Sequence, residues 1–336
     1  MTYILAIIIA LLVLLTLNEC YYWIVLYNTQ EHHILRGRKK RNLDWIAFGS
    51  SYCRYGLTND ENGKGFNFGV AAQFLYYSDK MLREYAPLCL KKGGKIYLVI
   101  ANLVFAEPGK GHYNPERYQE ILSKESLGDE YDRITFIKRR FPLLLHPPLI
   151  KRLLSYIIKG DNNPFNSLDK NPLSEEQVLE QAKKRCSDWC RQFGLKDTVS
   201  SEITPELEKK FAASRNILTG MIQFCLDNGF EPILVVTPVS KIMQKQLSNE
   251  FLKKVLYNNI KLANKQGAIF LDYLRDEEFT DSSCYHNNAD FLNAWARKAF
   301  TKKLIDKRYN ENRNTDISFC SQLRCSPSSL CTTRIP

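Results

Sequence analysis

The stretch DWIAFGSSYCRYGL, residues 44–57, is where this chain offers nucleophilic chemistry. An apolar run ends in Gly49-Ser50-Ser51, and a small residue followed by serines at a strand end is where several hydrolase folds place a nucleophile. A serine hydroxyl is a weak nucleophile at neutral pH unless a positioned base takes its proton. Chemistry at Ser51 therefore turns on a base, and the five histidines are His32, His33, His112, His146 and His286. Other chemistry is thinly supplied. Cys186-x3-Cys190 sets two thiols on one helical face, but no second pair or histidine follows to complete a zinc site. No Walker loop, Rossmann glycine fingerprint, zinc motif or EF-hand loop is written, so no metal or cofactor is expected.

The elements that would position Ser51 are short apolar runs alternating with helical patterns. Strands are expected at 44–48, 66–70, 95–101, 232–237 and 268–272. The third and fourth are continuous Val/Ile/Leu runs, as in central parallel strands covered on both faces. Helices fall at 73–91, 206–228, 241–266 and 289–305, with Gly93-Gly94, Gly229 and Gly267 as stops after three of them. This alternation predicts an α/β fold, a three-layer sandwich around a parallel five-stranded sheet. Residues 106–205 interrupt it for longer than a loop would, and predict a helical insertion flanking the site, with pieces near 115–125, 131–140, 148–158 and 174–193. From 308 to 336 periodicity is lost and the Cys-containing tail is expected to be disordered. Ligands bind outside the carboxyl ends of strands in such sheets, which gathers 49–55, 69–73, 102–108, 237–241 and 273–293 on one edge.

A membrane segment precedes this domain. Residues 3–17, YILAIIIALLVLLTL, carry no charge, and apolar character resumes after Asn18-Glu19-Cys20 as YYWIVLY. About 25 residues at 1.5 Å each suffice to cross a hydrocarbon core of roughly 30 Å. Glu19 then sits near an interface. Neither a small-x-small cleavage site nor a lipobox is present, so 1–27 reads as an uncleaved single-pass anchor and 28–43 as a basic juxtamembrane linker. The 336-residue chain has 47 basic and 36 acidic residues, a net charge of +11, densest at Arg36-Gly37-Arg38-Lys39-Lys40-Arg41. Without a nucleic-acid-binding motif beside it, this cluster reads as a membrane flank rather than a nucleic-acid surface. By the positive-inside rule it favours the cytoplasm. The ten cysteines lack paired spacing and leave the compartment open.

Five segments, in order, resemble the blocks of the SGNH/GDSL hydrolase superfamily. FGSSYCRYGL resembles block I, FNFGVAAQFLYYSDKML block II, and DFLNAWARKAFT the C-terminal block V, while YLVIANLVFAEP holds the block III position and VVTPVS resembles the turn after strand four. The resemblance covers about 44–105 and 229–305. It is strongest to the membrane-anchored group that includes the D-alanine transfer protein of lipoteichoic acid modification and other cell-surface polysaccharide acyl-modifying proteins. It implies a flavodoxin-like sheet in a domain spanning 44–307, outside the cytoplasm. It also implies Ser51 as nucleophile, with Ser50 where block I usually has Asp, and Gly69 N–H as an oxyanion donor. Asn102 stands near the block III amide donor, although Gly-x-Asn-Asp is not written there; otherwise it caps a strand end.

Block V departs from the pattern. Aligning Leu292-Asn293 with the family's Leu-Asn puts Phe291 at the catalytic histidine and Asn288 at the triad aspartate. Neither can do the aligned residue's work. His286, five residues before Phe291, is the remaining base candidate, oriented by Asp281 or Asp290; otherwise it is a solvent-exposed loop histidine. His112 is a second residue that could overhang the site. Tyr52 and Tyr55 line a sugar cleft or pack at the turn. Two functions follow from the resemblance. One is an O-acyl esterase or acyltransferase acting on cell-surface glycan, with an acyl-donor membrane partner. The other is a catalytically degenerate domain with a glycan-binding or assembly role.

Overall fold

The computed structural model describes residues 2–27, 29–109, 115–159, 174–199, 202–285 and 288–306. The expected tail, His112 and His286 lie outside them. Five strands, β1 (Leu43–Gly49), β2 (Gly65–Asn67), β3 (Leu90–Val99), β4 (Glu231–Val236) and β5 (Ile269–Asp272), form one sheet in the order β2-β1-β3-β4-β5. Every pairing is parallel. The order matches the doubly wound flavodoxin arrangement, in which the chain reverses direction across the sheet between β1 and β3.

The three layers follow from the period-two alternation of the central strands. Phe48 stacks on Phe68, and Phe68 meets Tyr85 of the helix Leu75–Cys89, so one face of the sheet packs beneath that helix. On the opposite face Trp45 packs edge-on against Tyr97, and Tyr273 meets Phe300 of the helix Ala294–Ile305. Burial on both faces explains the uninterrupted apolar runs of β3 and β4.

Element ends differ from expectation for local reasons. The third strand begins at Leu90 because Cys89 passes straight into it; Gly93, at φ 71°, lies within an irregular first half instead of stopping a helix. The last helix starts at Ala294, not 289, since the Asn293 side chain accepts from Ala296 N at 3.0 Å and caps it there. The expected 241–266 helix is broken into Lys241–Gln244 and a second run that begins at Asn249 and ends at Ala263. The insertion is helical, as expected, with its longest described helix at Glu175–Phe193.

At the amino end, α1 (Thr2–Cys20) continues through a wider turn, Tyr21–Val25. Tyr3–Val25 is long and apolar enough to cross a membrane, with a mean hydropathy of 2.3 over its best window. Its awkward polar residues have partners in the insertion. Asn18 donates to Arg140 O and accepts from Leu143 N, both at 3.2 Å, and Glu19 pairs with Arg140 at 2.7 Å. A second helix, α2 (Gln30–Arg38), is capped by Thr29 and leads to β1.

At the β1–β2 edge, Gly65 faces Trp45 so closely that a Cβ would fall 1.8 Å from the indole. The Gly65→Ala variant is expected to lose about 2–3 kcal/mol and roughly 5 °C of thermal midpoint, measured by intrinsic fluorescence of the full chain in detergent.

Candidate functional site

β1 delivers the chain to the carboxyl edge of the sheet at Gly49. Its φ of 154° is available to glycine at little cost, and a Cβ there would lie 2.7 Å from Val99 O. This lets the strand turn at once into α3 (Ser51–Gly56), whose first amides, Cys53 N and Arg54 N, both donate to Ser50 O at 3.0 Å. Ser51 is half-buried, and among the described residues nothing hydrogen-bonds its hydroxyl. Gly49 pairs in register with Val99, so Ser51 and Asn102 leave neighbouring strands on either side of the topological switch point. Asn102 is 1 % exposed and its Nδ2 has no partner among the described residues. An unpaired buried amide donor costs on the order of 1–3 kcal/mol, so this one stands ready for an acceptor.

The Gly69 N–H, the oxyanion donor that the resemblance implies, is engaged within the fold. It donates to the Asn67 side chain at 2.8 Å. A Cβ on Gly69 would sit 2.6 Å from Arg54 N and 2.7 Å from Cys53 Cβ, so glycine is required here for close approach to α3. Asn67 itself is 2 % exposed and fully occupied. Its Oδ1 accepts from Gly69 N and from the Cys53 thiol, and its Nδ2 donates to Cys53 O and Leu57 O. Its backbone N donates to Asn59 Oδ1, and its carbonyl meets His33 Nε2 at 2.9 Å. Burial pushes the Cys53 thiol far above its ordinary range, so it fills space and carries no thiolate.

His33 extends this network into α2. Its ring stacks on Phe66, and burial together with Arg54 lowers its pKa to about 3. Beside it, burial with Arg36 lowers His32 to about 4. Gln30 of the same helix accepts from Ala71 N at 2.6 Å, and Arg117 of the insertion donates to Ala71 O at 2.8 Å. The loop after β2 is thus gripped by α2 and the insertion together. Next to it, Gln73 donates to the Ser78 hydroxyl and accepts from Tyr118 OH.

The 281–293 segment reaches the same edge, since Ser240 donates both its N–H and its hydroxyl to Ala289 O. Phe291, at the aligned base position, packs against Tyr52 and Tyr55 with ring centroids 5.4 and 5.0 Å away. The Arg185 guanidinium lies 5.0 Å from the same ring. Asn288 turns its own loop, its Oδ1 accepting from Asp290 N and Phe291 N. Asp290 is buried and accepts from Tyr52 OH at 3.2 Å and from Arg185 Nε at 3.0 Å. Burial drives its carboxyl upward while Arg185 and Tyr52 oppose that shift. Asp281 caps the turn Ser282–Cys284, accepting from Ser283 N, and that bond holds its carboxyl below the usual range. It orients no imidazole among the described residues.

The structure therefore gathers Ser51, Gly69, Asn102, Tyr52, Tyr55, Asp290 and Phe291 at one edge. Tyr52 packs under this edge instead of lining a cleft. Asn67 and Arg185 were not singled out in the sequence. The lone polar residue of FNFGV was the available signal for Asn67; Arg185, one cation among several on its helix, had none. Cys186 is buried, which raises its thiol to about 11, and its sulfur touches Met243 instead of a metal-binding partner. No family model matches the chain, and no curated protein matches it either.

Two outcomes test this network. Asn67→Leu leaves the Gly69 N–H and the Leu57 carbonyl without their partner and takes one of two donors from the Cys53 carbonyl, and should cost about 3 kcal/mol in denaturant unfolding. His32 and His33 stay neutral in the folded chain down to about 4 and 3, whereas the unfolded chain protonates them near 6.5. Stability is therefore full above pH 6.5 and falls on acidification toward pH 4, by on the order of 1 kcal/mol per pH unit for each histidine. His33→Gln should flatten that slope, read from unfolding midpoints between pH 7 and pH 4.

Proposed function

We propose that this chain is a membrane-anchored protein of SGNH-like fold that carries out O-acyl ester chemistry on cell-surface polysaccharide, as esterase or acyltransferase, with Ser51 as nucleophile. The observation that carries this reading is the Ser51 hydroxyl itself. It stands half-buried and unengaged among the described residues, on a glycine-forced strand-to-helix turn at the switch point of a 2-1-3-4-5 sheet. In the reaction, Ser51 Oγ attacks an ester carbonyl and His286 takes its proton. The charge that develops on the carbonyl oxygen is met by Asn102 Nδ2. The alcohol leaves with the proton returned by His286, and water or a glycan hydroxyl then releases the acyl group from Ser51. Gly69 N–H contributes only when Asn67 releases it.

The anchor would hold the site on the outer side of the bilayer, close to glycan and to a membrane partner that donates the acyl group. Part of the basic flank is engaged by the fold: Arg38 pairs with Glu84 at 2.9 Å, and Arg36 donates to Tyr27 O and covers its ring, while Lys39, Lys40 and Arg41 stay exposed.

A second reading rests on Phe291. With its ring wedged among Tyr52, Tyr55 and Arg185, and Asn288 spent on its own turn, the aligned base and acid positions are structural. A domain so built would bind glycan or a partner without turnover.

Fluorophosphonate labelling of the full chain separates the two. Labelling that is lost in Ser51→Ala and in His286→Ala, and reduced about 10²–10³-fold in rate in Asn102→Ala, is the result expected of the enzyme. Absence of labelling in the wild type would establish the non-catalytic reading.

A further inference from the structure

The insertion carries an apolar surface that the ester-chemistry reading does not use. In the helix Ile150–Lys159, IKRLLSYIIK, residues Ile150, Leu154, Ile157 and Ile158 fall at helical spacing on one side, with exposures from 37 % to 78 %. With Leu153 they span an arc of about 140°, a width typical of a helix that covers an apolar phase. Lys151 and Arg152 project from the rest of the surface and are exposed. An earlier helix of the insertion, Arg133–Arg140, repeats the theme with Ile134 and Ile137 exposed beside Arg133 and Lys138.

Two observations say what covers this surface. First, the helix is joined to the span: Leu153 and Leu143 bury Tyr21 between them, with Leu17 and Val25 packed alongside. Tyr21 lies 18 residues beyond Tyr3, about 27 Å along the helix, where a hydrocarbon core of roughly 30 Å gives way to headgroups. Tyr21, Tyr22 and Trp23 are the residue types that settle at that boundary. Second, the charges beside the apolar stripe are cationic, complementary to anionic lipid headgroups.

We propose that Ile150–Lys159 is an in-plane membrane helix, seated with its Ile150/Leu154/Ile157/Ile158 face in the acyl–headgroup boundary and its basic residues among anionic headgroups. The inference rests on Tyr3–Val25 spanning the bilayer. The domain then meets the membrane at two points, a span through it and a helix along it, and the insertion fixes the tilt of the domain on the bilayer.

The test uses the full chain in vesicles of phosphatidylcholine with phosphatidylglycerol, carrying shallow or deep doxyl-labelled lipid. Tryptophan is placed at Ile157 or Leu154 on the apolar face, and at Ser155 on the opposite side, with wild-type emission subtracted. Co-flotation with vesicles after alkaline wash reports the span. The expected result is that Ile157→Trp and Leu154→Trp are quenched about twofold, more by shallow than by deep doxyl lipid, as suits a burial depth of roughly 5–10 Å, while Ser155→Trp is not. Flotation without quenching at either apolar position overturns the in-plane helix and leaves the span standing. Equal quenching at Ser155→Trp also overturns it. A chain that fails to float overturns the span, and the in-plane helix with it.

Discussion

Asn67 is the residue on which the candidate site depends. Every polar atom of its side chain and backbone is engaged, and its partners come from four places: α3 and its C-cap, the loop between α3 and β2, the loop after β2, and α2. A buried amide with all its bonds made is rigid, because moving it would leave several groups unpaired at once. Its geometry sets the distance between the Ser51 turn and the Gly69 loop. Glycine at 69 is the sterically necessary counterpart, since any side chain would push Arg54 and Cys53 away. The same bond that fixes this spacing also takes the Gly69 amide, so structural order and oxyanion donation draw on one N–H. Asn102, just past the end of β3, has no such conflict, since its Nδ2 has no partner among the described residues.

The same logic governs the end of the apolar helix. An Asn and a Glu at the end of an apolar helix would be costly in lipid if left alone. Here the Asn18 side chain is consumed by the Arg140 carbonyl and the Leu143 amide, and Glu19 by Arg140 and Trp23 Nε1. Tyr22 adds a bond to Glu120. These contacts make the last turns of the apolar helix part of the folded domain.

Much of this architecture was legible in the sequence, because it rests on local signals. The apolar runs of β3 and β4, the helical period of 206–228 and the small-residue turn at Gly49-Ser50-Ser51 each carry their own pattern. Order along the chain then gave a parallel three-layer sheet, and the carboxyl-edge rule put residues 49–55, 102–108 and 237–241 together. Roles set by distant partners were not legible. Arg185 meets Asp290 across 105 residues, and nothing in KKRCSDWC distinguishes that arginine from its neighbours. Asn288 and Asp281 illustrate the converse: their acceptor oxygens are taken by amides two or three residues away, a fate that Asn and Asp share in most loops. Phe291 was legible as a departure from the pattern of the family that the sequence resembles; the aromatic and cationic cage around it was not.

The grip of α2 on the loop after β2 has a mechanical consequence. A flexible linker would let a domain swing freely above its anchor, so that the reach of its site became a radius. With Gln30 and His33 bonded to Ala71 and Asn67, no such swivel is available. Residues 26–42, with the nine-residue α2 within them, join the end of the apolar helix to the start of the sheet. The Ser51 edge and α2 therefore keep one fixed relation to each other. Displacement at the amino end is thereby carried through one short helix to the serine edge, independent of the chemistry at the serine.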